Sequence, residues 1–576
     1  MRFTRRSVLG ASAATSLLVL AACTRADEAD GGNGGGSGGS DGGGESIASD
    51  ANDINAQERS ALGEGGVLRL TNNAFPANWN TFSSDGNEAN TIRISETMQP
   101  LLVISDAAGV VSANPDYTQS VELTGEDPQV VEVKLNPDMK WSDGTALDWK
   151  SVKNVFDVMS GKDDEYAIAS SEGYSKVESV EQGDDELTAV ITFAEPYADW
   201  MGLISAMPDE LAESPETFNE GWTKEPGVTA GPFKIGKIDA NNKTVTVVPD
   251  ENWWGEKPLL EQILFTTIED PAAAATSFQN GQLDSIETSV PATYTVLEPM
   301  VGQGATLRTA AGPNWTHLTL NGAAGRPLED KLVRQAFFMA MDREEIFQSV
   351  NAVMPYPEGA GRLDNHLLMA NQEGYVANAG ELGEQDLEGA KAKLEEAGYD
   401  VSGEWATKDG KELAITYTYN EGSKTNEAVA PVVQEALKEI GIKMDVRTVP
   451  PTDLFSKYVI PGDFDITLFG WNGTPFLSSG DAIWKTGGEQ NFGKIGDEET
   501  DKLIEQAAVE TDPQARLDLI NEIDVRLWDL AGVLPLWQGY TFMIQHDDLA
   551  NFGAFGFQTP DWKNIGYMAD SDKLNG

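Results

Sequence analysis

Three histidines, one cysteine and 93 acidic side chains are what this 576-residue chain offers to chemistry. His317, His366 and His546 lie far apart, and none falls in a His-Glu-x-x-His or other zinc-ligand spacing, so no metal site is expected. No Gly-x-Ser-x-Gly elbow sits between a strand and a helix. No phosphate-cradling Gly-rich Lys loop or dinucleotide fingerprint follows a strand. A glycosidase-type carboxylate pair would be lost among so many acids, and no pair stands out, so each acid is read by default as a solvated surface group. The chain is therefore poor in catalytic signals. It is read as a binding protein without cofactor, and a surface hydrolase using two carboxylates is kept as the alternative of another class.

The single thiol, Cys23, closes Leu20-Ala21-Ala22-Cys23 behind a cationic start (Arg2, Arg5, Arg6) and an apolar stretch from Val8 to Ala22. That stretch is shorter than the ~20 residues a membrane-spanning helix needs, and the pattern is that of a secretory signal. It resembles a bacterial lipoprotein signal over residues 1–22. Cleavage would leave Cys23 first in the mature chain, carrying acyl chains that anchor it to the outer side of the cell membrane. Thr4-Arg5-Arg6-Ser7-Val8-Leu9 also resembles a twin-arginine signal, so export by the general or the twin-arginine route stays open. With Cys23 acylated, neither thiol catalysis nor a disulfide is available. Residues 23–66 are rich in Gly, Ser and Asp. They read as a flexible tether with a reach of roughly 35 Å.

The ~510 residues that follow exceed what one core encloses, so at least two domains are expected. A net charge of −53 excludes nucleic acid as a partner. At long range it favours cationic or zwitterionic ligands, although solubility at a crowded surface accounts for it equally.

Chain patterning is mixed α/β. Val67–Thr71 and Val131–Leu135 alternate like strands, and Ser142-Asp143-Gly144 reads as a turn. Asp148 then caps a helix with Trp149, Val152, Val155, Phe156 and Met159 on one face. Leu387, Ala390 and Leu394 share a helical face that Gly398 ends. Glu427 to Ile440 reads as a helix ended by Gly441, Ile442–Val446 as a strand, and Phe464–Gly470 as a buried strand. Asp512-Pro513 opens a further helix.

Several segments together resemble the family-5 solute-binding proteins, the peptide- and nickel-binding lipoproteins of ABC importers. They are Val131 to Thr145 running on to Asp148 and Val152, Gly231-Pro-Phe233, Asn252-Trp-Trp-Gly255, and Asn321 followed by Leu328 to Arg343. Phe464 to Trp471 and Leu534-Pro-Leu-Trp537 complete the set. The resemblance keeps order over residues 67–570. It implies a two-lobed, periplasmic-binding-protein-like α/β clamp of the large type II, cluster C form, with mixed β-sheets flanked by helices and an extra subdomain. Lobe I would comprise residues 67–90, 230–312 and 540–576, with 91–229 inserted in it, and lobe II residues 313–539. The implied protein is a monomer that captures oligopeptides or dipeptides and delivers them to a permease and its ATPase subunits.

The same resemblance places ligand contacts at Gly470, Trp471, Asn472, Gly473 and Thr474. Peptide-binding relatives commonly carry Asp at the position of Thr474, where it pairs with the ligand's α-amino group. A hydroxyl cannot supply that charge. Asp481 is a candidate substitute, or the ligand is not a peptide but a sugar, an opine-like compound or a nickel chelate. Asn420 is a further candidate contact, and Asn73, Phe75 and Trp79 are candidates by position alone.

Overall fold

The computed structural model describes residues 52–476 and 480–575. The signal, Cys23 and most of the expected tether lie outside them. The end of that tether does not fit the expectation: residues 52–66 are built into the body. Asp53 and Ala554 exchange backbone hydrogen bonds at 2.8 and 2.9 Å, and Arg308 pairs with Asp53 at 3.0 Å. Leu62–Gly63 forms a short strand against Gly566–Met568. Apolar Ile54 and Leu62 and the hydrogen-bonding Asp53 and Asn55 interrupt the low-complexity composition here, and they hold the chain down.

Two sheets share the first large core. In one, Val67–Asn72 pairs in parallel with Gln262–Thr267, which continues antiparallel to Thr244–Pro249 and Phe233–Asp239. Leu68 and Leu70 face inward, as the alternation requires. The other is an antiparallel sheet in the order Thr118–Glu126, Gln129–Leu135, Thr188–Phe193, Val177–Gln182. The helix Trp149–Met159 covers it, with Val152, Val155, Phe156 and Met159 buried and the Asp148 carboxylate accepting from Lys150 N–H. Ser142 to Gly144 forms the expected turn, closed by a bond from Gly144 N–H to Trp141 O.

The second lobe is built on a six-stranded sheet that reaches into the first. Its order is Ser285–Glu287, Val533–His546, Ala305–Leu320, Ile466–Asn472, Ala414–Asn420, Lys443–Val449. The two long central strands pair antiparallel from Ala305↔His546 to Thr319↔Val533, and their register breaks between Ala311 and Trp315. On one side of that break the strands pack with Phe278, Ile286 and Leu297; on the other they enter a core with Val333, Phe337, Leu394 and Leu437. The pair thus runs through both halves of the molecule.

Helices flank this sheet where the caps lie. Asp512 accepts from Ala515 N–H and Pro513 opens the helix Pro513–Leu530. Leu387–Glu396 ends before Gly398, which adopts a φ of +88°. The next helix starts at Lys424 rather than Glu427, because the Ser423 hydroxyl caps it by accepting from Asn426 N–H.

Candidate ligand-binding cleft

A cavity of about 320 Å³ opens where the two lobes meet. The first lobe supplies most of its wall. The helix Ala89–Ser95, capped by Glu88, places Ile92, Ser95 and the following Glu96 on it. An irregular loop adds Glu172 and Tyr174, and the turn around Trp200–Leu203 adds Asp199 and Gly202. The second lobe contributes Thr474 and Phe476. A Cβ on Gly202 would stand about 3.1 Å from the Phe476 ring, so the missing side chain lets that ring close over the turn.

The strand that delivers Thr474 has an unusual setting. Ile466–Asn472 pairs along its length with the strand Ala305–Leu320, from Leu320↔Ile466 to Asn314↔Asn472. On its other side the one registered pair is Tyr417↔Ile466. From Thr467 onward that edge has no strand partner among the described residues. Gly470 is required here, since a Cβ would fall 2.8 Å from Trp315 O. Gly473 N–H donates to Pro313 O at 2.6 Å and turns the chain toward the cavity.

The candidate residues divide. Thr474 lines the cavity, while its Oγ donates to Phe476 O at 2.6 Å and accepts from Phe476 N–H at 2.9 Å, a local turn that fixes Phe476. Gly470 and Asn472 are exposed at the strand end. The Trp471 ring turns away into an aromatic cluster, stacked on His317 at 4.2 Å and set against Trp315, Phe469 and Trp484. Burial, and then the neighbouring His366, hold His317 well below the ordinary imidazole range, so it packs as a neutral ring. Asp481 opens a short helix and lines a separate cavity of about 20 Å³ beside Arg516. Burial raises its carboxyl to about 6. Asn420 is half-buried at the end of its strand and does not line the cavity between the lobes.

Trp79 is a correction. It is 1 % exposed, donates its backbone N–H to Trp222 O, and belongs to the first core. The loop after Leu70 dives inward, so position in the loop did not translate into access. Phe75 packs against the same core, and Asn73 lines a different cavity, of about 340 Å³, with Arg93 and Glu287. Glu96, Glu172, Asp199 and Phe476, absent from the expectations, carry the cleft. Among the described residues no group of His, Cys, Asp and Glu is placed to hold a metal ion.

The family model for bacterial extracellular solute-binding proteins, family 5 (middle), matches residues 113–493. The chain belongs to this family. The oligopeptide-binding protein OppA of Mycobacterium tuberculosis is 36% identical over 525 residues, covering 90% of this chain and 87% of the relative. The solved structure of a periplasmic EDTA-binding protein, EppA, superposes with a TM-score of 0.80 at 25% identity, covering 91% of this chain and 99% of that one. That of the oligopeptide-binding protein AppA of Bacillus subtilis, in complex with a nonapeptide, gives 0.69 at 20% identity, covering 88% and 99%.

This family-5 protein is accordingly an extracytoplasmic, two-lobed α/β clamp, the solute-binding component of an ABC importer. Its relatives are binding and transport proteins, and the hydrolase alternative is set aside on that ground.

Proposed function

We propose that the protein captures oligopeptides between its lobes and hands them to a membrane permease. The observation that carries this reading is the partly exposed edge from Phe469 to Asn472, which has no strand partner among the described residues and leads through Gly473 to Thr474 on the wall of the cavity between the lobes. An extended peptide adds to such an edge through main-chain hydrogen bonds, so affinity is indifferent to side-chain sequence. The relatives named for oligopeptides support the same ligand class. Closure would bend the paired long strands at the register break between Ala311 and Trp315, with residues 313–539 moving as lobe II against the rest. Micromolar affinity needs only about −8 kcal/mol.

The test is mass spectrometry of what the purified protein releases on denaturation. Recovery of peptides of mixed sequence is expected; consistent recovery of one non-peptide solute overturns the reading. A chelate or other polyanion is the second reading, drawn from the likeness to EppA. It fits less well, because among the described residues no Lys, Arg or His lines the cavity.

The mature protein is held to the membrane through acyl chains on Cys23 after cleavage behind Ala22, and the Arg5-Arg6 pair suits export by the twin-arginine route, with the general route as the alternative. Cys23→Ser should release it from the membrane fraction, and Arg5→Lys with Arg6→Lys should stop export. A Cys23→Ser protein that stays membrane-bound would remove the anchor.

A further inference from the structure

The groups without a protein partner in the cleft can all accept hydrogen bonds. Glu96, half-buried, and Glu172, exposed to the solvent in the cleft, line the cavity, and among the described residues neither carboxylate has an ion-pair or hydrogen-bonded partner. The Ser95 hydroxyl is buried at 3 % exposure and lines the same cavity, the Asn87 side-chain oxygen is buried there, and neither has a partner among the described residues. Both carboxylates and the amide oxygen accept hydrogen bonds, and the hydroxyl can accept or donate. The third acid on the wall, Asp199, is engaged by Arg516. Phe82, Tyr174, Tyr197 and Phe476 line the same space.

A carboxylate partly withdrawn from water without a bonded partner is costly, and Glu172 is also repelled by Asp481 and Asp199. An ammonium brings three donors and a guanidinium five, each with the charge the wall lacks, and aromatic faces attract either. Building on the proposed reading of the cleft as the ligand site, we propose that Glu96 and Glu172, with Ser95 and Asn87, receive a cationic group of the ligand. The first lobe thereby does what Thr474 on the second lobe cannot. The protein then selects ligands bearing a positive end, and closure on them relieves the repulsion within the site.

The charged surroundings agree. Crowding by protein, and then Asp481 and Asp199, raise the Glu172 carboxyl to about 7 against the pull of Lys176. Burial raises Glu96 to about 7 against the pull of Arg93. Lys176 itself sits over the Tyr197 ring at 5.1 Å.

The experiment is calorimetric titration of the full mature protein, wild type, Glu96→Gln and Glu172→Gln, with two panels. The first holds tetra-alanine, N-acetyl-tetra-alanine, and an N-acetylated tetrapeptide containing one lysine. The second holds putrescine and succinate. Acetylation of tetra-alanine is expected to weaken wild-type binding at least tenfold. Recovery of affinity with the lysine peptide would show that a side chain serves as well as the terminus; no recovery would assign the site to the α-ammonium. Each Gln variant should weaken cationic peptides about tenfold and leave the neutral peptide within twofold, with melting temperatures showing that both variants fold. If no peptide binds but putrescine does and succinate does not, the peptide reading fails and the cation site stands. Equal binding of charged and neutral members, full charge preference in both variants, or no binding in either panel overturns the cation site.

Discussion

Arg516, on the helix Pro513–Leu530 of the second lobe, donates through Nη1 to Asp199 Oδ1 of the first at 2.5 Å, with side chains 14 % and 3 % exposed. Beside it Ala198 N–H donates to Ala508 O at 2.9 Å. These bonds tie the lobes together at the edge of the cavity. Parting the lobes would break both bonds, so they favour the arrangement in which the lobes touch.

Removing the arginine should therefore weaken ligand capture more than it weakens the fold. In Arg516→Gln the Asp199 carboxylate is left buried without its charge partner when the lobes close, but opening the cleft rehydrates it. Ligand affinity should fall about 10- to 100-fold, which is about 1.4–2.8 kcal/mol. Small-angle scattering should show the unliganded variant more extended than wild type. An unchanged affinity would mean that this pair plays no part in closure.

Gly470→Ala tests the strand that carries the binding edge. The added methyl would stand 2.8 Å from Trp315 O, closer than a carbon and a carbonyl oxygen tolerate, and both belong to paired backbone. One strand must shift, at about 1–3 kcal/mol. Urea unfolding should show the loss in its midpoint, and an unmoved midpoint would contradict the packing described.

Asp284 anchors the first lobe's terminal segments. It is fully buried, accepts from the Arg69 backbone N–H at 2.8 Å and from its guanidinium at 3.2 Å, and takes Lys573 Nζ at 2.7 Å. Asp284→Ala strands those donors, although both cations keep partial access to water. The expected cost is about 3 kcal/mol, the low end for breaking a buried pair. A thermal melt reads it directly, and a shift of less than a degree would place the stabilisation elsewhere.

How far the sequence was legible depended on whether the determinant was local. Asp148 and Asp512 announced their helices because a cap acts within three residues of itself. Gly398 and Gly441 announced helix ends because both sit in the left-handed region. Thr474 could be singled out because it stands three residues after Trp471, where the family resemblance implies an Asp. Trp79 could not be placed, since whether a loop aromatic faces ligand or core is decided by sheets far away in the chain. Glu96 and Glu172 were invisible for a further reason. They are two of 93 acids, one beyond a seven-residue helix and one in a loop without periodicity, and only the tertiary fold brings them to one cavity.

The cost of holding Glu96 in that cavity is measurable through pH. Burial lifts its carboxyl from an ordinary value of 4.5 to about 7 in the folded protein, with Arg93 pulling the other way. Below about 4.5 the group is protonated in both folded and unfolded chains and contributes nothing to the balance. As pH rises, the unfolded chain releases its proton first, so the folded state loses relative stability until about 7 and carries the full penalty above it. Glu96→Gln removes the titration and keeps the shape. The variant should therefore melt at the same temperature as wild type at pH 4 and several degrees higher at pH 8. Equal gains at both values would assign the effect to packing, and no gain at pH 8 would show that the carboxylate is not held out of water. A cationic peptide should narrow the pH 8 difference, since a bound ammonium supplies the wild-type carboxylate with the partner that the glutamine does not need.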